Sequence, residues 1–160
     1  MREPNDAVRE HLMRVLDWED AHVGFEKSVD GVPPEVRGTR PPGFEHSAWQ
    51  LLEHIRIAQD DILDFCLSAT YEHNLKWPDG YWPATAAPPD EAAWQGSIAA
   101  CLASREHLKQ LARDVDDLTA LVPTGKANQT YLRAILLAAD HVAYHVGQVV
   151  SVRRALGVWG

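Results

Sequence analysis

The chain has only two cysteines in 160 residues, Cys66 and Cys101. That is too few for a disulfide framework. Each sits in an apolar helical pattern, so both read as small buried hydrophobes rather than redox or nucleophilic groups. Positive charge is also scarce: 15 Lys and Arg stand against 23 Asp and Glu, a formal charge of −8. No basic run offsets this balance. It argues against a nucleic-acid or anionic-membrane surface, because phosphates repel such a chain. No unbroken apolar run approaches the ~18 residues of a membrane span. The polar opening Met1-Arg2-Glu3-Pro4-Asn5-Asp6 lacks a signal-peptide core. The expectation is a cytoplasmic protein that partners neither nucleic acid nor membrane. Several chemical signatures are missing as well. There is no glycine-rich phosphate loop and no serine elbow. His-Glu-x-x-His is absent, since Val142 follows His141. The Glu-x-x-His pairs of a di-iron carboxylate bundle are absent from the apolar stripes.

What is present is helical. Hydrophobic residues make up 46% of the chain, enough for a core, and the length suits one domain over residues 1–160. Strict two-residue alternation does not occur, so no strand competes. Val8, Leu12, Val15, Leu16 and Val23 predict a first helix from about Asn5 to Ser28, capped by Asn5 or Asp6. Prolines through Pro41-Pro42-Gly43 forbid its continuation. Ser47 and Gln50 have capping-box spacing and open a second helix that fades after about Ser68. A long connection from Ala69 to Pro89 carries Trp77-Pro78-Asp79-Gly80-Tyr81-Trp82-Pro83, in which Pro-Asp-Gly is a turn signature. Its aromatics should pack down, either roofing a cleft or plugging the bundle end. Asp90 can cap a third helix with an inner stripe of Trp94, Ile98, Cys101, Leu102, Arg105, Leu108, Leu111 and Ala112, ending near Asp114 to Asp117. A fourth runs from about Asn128 to Leu156, with Gly157 as its stop. The fold class is therefore all-α, a four-helix bundle with long crossover connections.

Eight histidines are many for this length, and their placement matters. His141 and His145 are four apart, so they project from one face of the fourth helix, within about 40° of each other. They share that face with Ala134, Ala138, Gln148 and Val152, while Arg133, Asp140 and Ser151 fall on the exposed side. His54 lies with Leu51, Ala58 and Phe65 on the apolar face of the second helix. Two readings remain open on the residues alone. The three can be core histidines satisfied by hydrogen bonds, or they can be ligands converging on one metal ion, as bundle sites are built. Three imidazoles leave an open coordination position. His22 could touch the same cleft, His46 belongs near the bundle end, and His11, His73 and His107 read as surface residues.

These residues resemble the DinB/YfiT superfamily of metal-dependent bundle proteins. His141-Val142-Ala143-Tyr144-His145-Val146-Gly147-Gln148, followed by Arg153, Arg154, Leu156 and Gly157, is similar to the family's fourth-helix pattern. Ser47-Ala48-Trp49-Gln50-Leu51-Leu52-Glu53-His54-Ile55 resembles the stretch that carries its first ligand. Tyr81-Trp82-Pro83, Pro88-Pro89 and Trp94 add to the likeness. Val146 departs from it, since relatives often carry arginine or another polar residue there. The resemblance implies a crossed helix order and a three-histidine centre of His54, His141 and His145. Zn²⁺ or Ni²⁺ is the implied occupant, with Fe²⁺ or Mn²⁺ as alternatives. It also implies a small-molecule substrate and, as in characterised relatives, a low-molecular-weight thiol as possible co-substrate. On this reading Tyr144 and Gln148 orient substrate or water, and Trp82 contacts a bound cofactor. Glu53 and Asp61 are candidate acceptors for the outer ring nitrogens. Trp18 and Trp159 leave apolar surface for a homodimer. The rival expectation is a noncatalytic metal- or ligand-binding protein.

Overall fold

A computed structural model describes residues 4–160, and the N-terminal residues 1–3 of the polar opening lie outside it. Five α-helices form among the described residues: α1 (Pro4–Val15), α2 (Phe25–Val29), α3 (Ala48–Leu67), α4 (Glu91–Asp114) and α5 (Tyr131–Ala155). Short 3-10 turns occupy Pro34–Val36 and Asp79–Tyr81. No strand forms among the described residues; a single antiparallel bridge joins Leu121 to Thr130.

The four long helices form the bundle. α3 packs against both α4 and α5, and α1 rests on the same pair from the other side. Consecutive long helices α1 and α3 are therefore not principal neighbours, and the chain between them crosses over, as expected. Leu52, Ile55, Leu108, Ile135 and Val149 lose all solvent contact in the resulting core. Arg9 pins α1 to the end of α4 by donating to the Ala112 carbonyl at 2.8 Å. A cation there also meets the negative pole of the helix.

The helix ends follow their local chemistry. Ser47 accepts from the Gln50 amide at 3.2 Å while the Gln50 side chain accepts from the Ser47 amide at 3.1 Å, so the capping box forms in full. Asp90 accepts from the Ala93 amide at 2.7 Å and opens α4. Thr130 caps α5, which begins at Tyr131 rather than Asn128. Gly157 ends it with φ of 71°, a conformation glycine adopts without strain.

The first helix departs from expectation. It stops at Val15, and helix resumes only over Phe25–Val29. Beyond Leu16 the sequence Asp17-Trp18-Glu19-Asp20 offers no apolar stripe to bury. Asp17 turns instead to α4, where it meets Arg105 Nε at 3.0 Å and the Lys109 ammonium. The break lets Phe25 and Val29 enter the core against Trp49 and Trp94. Asn5 and Asp6 lie inside the first turn of α1, not at its cap. On α4, Ser97 and Ser104 join the buried stripe, and Gln59 of α3 satisfies Ser104 Oγ and the Cys101 carbonyl, both at 2.7 Å.

α5 is long and apolar enough, by length and composition, to cross a membrane, with a mean hydropathy of 1.3 over its most apolar stretch. A core helix of a bundle passes the same test. Here Ile135, Ala138, Val149 and Val152 are buried against the other helices. The two cysteines are 1% and 3% exposed, and burial pushes both thiols up to about 12. Neither is a nucleophile near neutral pH.

Candidate metal centre

The α3–α5 interface brings His54, His141 and His145 together. His54 follows Leu51 by one turn and precedes Ala58 by one turn, so it shares their buried face. The helical step of four puts His141 and His145 opposite it, flanked by the small side chain of Ala138. Ring centroids of the three are 4.4 to 4.8 Å apart. One ring nitrogen from each lies within 4.8 Å of the others. His54 and His145 are 5% and 6% exposed, and His141 is half-buried.

The hydrogen bonds show which nitrogens are free. His54 Nδ1 sits 2.8 Å from the Tyr81 carbonyl. A carbonyl only accepts, so Nδ1 carries the proton and Nε2 presents a lone pair. His145 Nδ1 lies 2.6 Å from Gln148 Oε1 and donates in the same way. His54 Nε2 and His141 Nε2 face each other at 3.0 Å. One of that pair must donate in the metal-free protein, and His141 is the one able to, because His54 has already placed its proton on Nδ1. A tautomeric shift of His141 would free its Nε2 as well.

Charge points the same way. Burial and the neighbouring histidines push His141 down to about 4. Burial and His54 do the same to His145, against the opposing pull of Gln148. His54 is lowered too, by burial, although its bond to Tyr81 works against the shift. All three are therefore neutral near pH 7, the form that ligates metals. No carboxylate belongs to the set. A tetrahedral ion with Zn–N bonds of about 2.0–2.1 Å places its ligand nitrogens roughly 3.3 Å apart. The 3.0 Å pair is already near that spacing. The residues present fit a divalent metal of the kind that favours imidazole.

The other residues singled out in the sequence take definite places around the cluster. Trp82 lies flat on His54, centroids 3.9 Å apart and planes within 3°. His46 stacks on the same indole at 3.7 Å. The aromatic loop therefore packs onto the histidine cluster, except for Trp77, which is 74% exposed. Tyr144 is exposed and meets His145 edge-on at 4.9 Å. Gln148 is committed to His145, and its amide nitrogen lies 3.5 Å from the Tyr144 hydroxyl.

Glu53 and Asp61 do not touch the histidines. Glu53 accepts two bonds from Arg56 and one from Ser97. Asp61 accepts from the phenols of Tyr71 and Tyr81. The outer acceptor for His54 is a backbone carbonyl, which no side-chain pattern could reveal. His22 bonds the Val23 carbonyl and lines a separate cavity of about 360 Å³ on the other side of α5, together with Val142, Ala143 and Val146. Val146, the departure from the family pattern, thus faces that cavity and the core. His11, His73 and His107 are exposed.

Fold and cluster together define a class: helical bundles whose facing helices gather histidines able to hold a metal ion. The family model of the DinB superfamily matches residues 17–149, and the chain belongs to that superfamily. Neither curated proteins nor solved structures yield a match.

Proposed function

We propose that this protein is a divalent-metal-dependent enzyme acting on a small molecule, of the thiol-dependent S-transferase or hydrolase type. His54, His141 and His145 would hold the ion, with Zn²⁺ or Ni²⁺ favoured over Fe²⁺ or Mn²⁺. The observation that carries this reading is the convergence of three neutral imidazoles from two helices, two of them with the outer nitrogen already engaged. When bound, such an ion supplies a Lewis acid that makes a thiol or a water a stronger nucleophile near neutral pH.

The chain's own residues do the rest. Tyr81 and Gln148 fix the rings of His54 and His145. Trp82 covers the face of His54 and excludes water from that side. A low-molecular-weight thiol would meet only the part of the indole that His46 and His54 leave uncovered. Tyr144 presents its hydroxyl at the exposed rim of the cluster, where it can orient a substrate.

Metal analysis of untagged protein beside the His141→Ala/His145→Ala double variant tests this reading. About one equivalent of a divalent metal is expected in the parent, and none in the variant. Protein that stays metal-free after incubation with Zn²⁺ and Ni²⁺ would refute it.

A second reading draws on the cover that Trp82 and His46 place over His54. A centre so enclosed suits a protein that holds or senses a metal without turnover. Titrating the Co²⁺-loaded protein with small thiols separates the two. A new sulfur-to-metal absorption band supports the thiol-dependent enzyme over the sensor, and an unchanged spectrum removes the thiol-dependent form and leaves hydrolysis or sensing.

A further inference from the structure

We infer that Asp61 and Tyr81 are positioning residues for His54: the Asp61 carboxylate anchors the Tyr81 phenol, and the anchored Tyr81 holds the His54 ring in one tautomer through its carbonyl. The inference rests on the three-histidine reading for its consequence, but its structural core stands on geometry alone.

Asp61 follows His54 by seven residues on α3, two helical turns and about 10 Å along the axis. Seven residues return nearly to the same face, so the two side chains line one strip of the helix. Asp61 does not reach the imidazole. Tyr81 lies between them and is bonded at both ends. Its hydroxyl donates to Asp61 Oδ2 at 2.6 Å, and its carbonyl accepts from His54 Nδ1 at 2.8 Å. The residue is only 9% exposed.

The backbone around Tyr81 is tied down to match. Tyr81 donates its amide to the Pro78 carbonyl at 3.1 Å, and Trp82 donates to Asp79 at 3.2 Å, closing the 3-10 turn. That turn delivers Trp82 onto the face of His54 in the very next residue. One tyrosine thus fixes the imidazole in its plane by a hydrogen bond and, through its neighbour, fixes the ring's tilt by stacking. The Pro-Asp-Gly turn and its aromatics, conspicuous in the sequence, support the histidine.

A plainer role for Asp61 is to staple the loop. Tyr71 donates to its other oxygen, Oδ1, at 2.9 Å, so both ends of residues 71–81 meet one carboxylate. The two roles make different predictions, because Tyr71 makes no bond to any of the three ligand histidines. Removing its hydroxyl loosens the loop without touching the Tyr81–His54 connection.

The experiment compares Tyr81→Phe, Tyr71→Phe and Asp61→Asn. Imidazole ¹⁵N shifts of the metal-free proteins report the His54 tautomer, and chelator competition for Zn²⁺ reports affinity. The parent should show a single Nδ1–H tautomer at His54. Tyr81→Phe and Asp61→Asn should show a tautomer mixture and bind Zn²⁺ about 10-fold more weakly, the low end for loss of a group supporting a ligand. Tyr71→Phe should match the parent in both. Tyr81→Phe keeps the ring and the carbonyl, so it decides the matter even where Asp61→Asn disturbs folding. A parent with His54 protonated on Nε2 overturns the inference. So does Tyr81→Phe with the parent's tautomer and affinity, or Tyr71→Phe with equal damage. A parent with the expected tautomer that binds no Zn²⁺ would leave the positioning role standing and refute the metal reading instead.

Discussion

Gln148→Ala removes the acceptor of His145 Nδ1, together with a long 3.5 Å bond to the Tyr144 hydroxyl, and leaves the three proposed ligands in place. In the folded protein Gln148 Oε1 accepts from His145 Nδ1 at 2.6 Å, one turn further along α5. That bond keeps the proton on Nδ1 and the Nε2 lone pair turned toward His54 and His141. A hydrogen bond of this kind contributes about 0.5–1.5 kcal/mol net. At about 1.4 kcal/mol per factor of ten, that is roughly a 2- to 12-fold loss of metal affinity. Loss of a group supporting a metal-bound histidine typically costs about 10- to 100-fold. The two ranges overlap near tenfold, which is the expected effect. Gln148→Glu should act in the opposite direction, since a carboxylate is the stronger acceptor and makes the imidazole a better donor to the ion. Competition with a calibrated chelator gives the order glutamate, then parent, then alanine. An alanine variant within twofold of the parent would refute the reasoning, and so would a glutamate variant weaker than alanine.

Further expectations follow from the same structure. The metal-free protein should lose stability as pH falls from 6.5 toward 4, because His141 and His145 titrate near 4 in the folded state and the unfolded chain takes up protons first. Urea midpoints should drop across that window and change less in the His141→Ala/His145→Ala variant; a midpoint that rises on acidification would contradict this. Ser47→Ala should cost about 0.5–2 kcal/mol by removing the hydroxyl that accepts from the Gln50 amide in the α3 capping box, and it also deprives the Ala86 carbonyl of its donor. Equilibrium unfolding measures that loss, and an unchanged midpoint would show the cap to be idle. Cys66 and Cys101, buried and pushed up to about 12, should resist a thiol reagent in native protein and react once it is unfolded. Rapid labelling of folded protein would count against the described core.

How far the sequence discloses all this depends on the kind of interaction. Ser47 with Gln50, Asp90 and Gly157 act through their own backbone neighbourhood, so their roles are readable from spacing alone. The pair His141 and His145 is readable for the same reason, because helical pitch puts them on one face. His54 enters the centre through tertiary packing, and its apolar neighbours Leu51 and Ala58 give only its facing. The break after Val15 was hidden. Val23, seven residues after Leu16, returns to nearly the same helical face and masks the polar gap between them, while the partners that draw Asp17 away, Arg105 and Lys109, lie on a helix some 90 residues later. The support of His54 was hidden more deeply, since every residue has a carbonyl and nothing in the sequence singles out that of Tyr81. Glu53 and Asp61 were plausible acceptors by type, but Arg56, Ser97, Tyr71 and Tyr81 claim them first.

Everything proposed for the site depends on His54, His141 and His145 binding one metal ion together. Diffraction from crystals grown with Zn²⁺, recorded on both sides of the zinc absorption edge, tests it most directly. One strong anomalous peak is expected between the three rings, about 2.0–2.1 Å from a nitrogen of each. A peak elsewhere on the surface, with the three histidines still bonded to one another and to Tyr81 and Gln148, would contradict it.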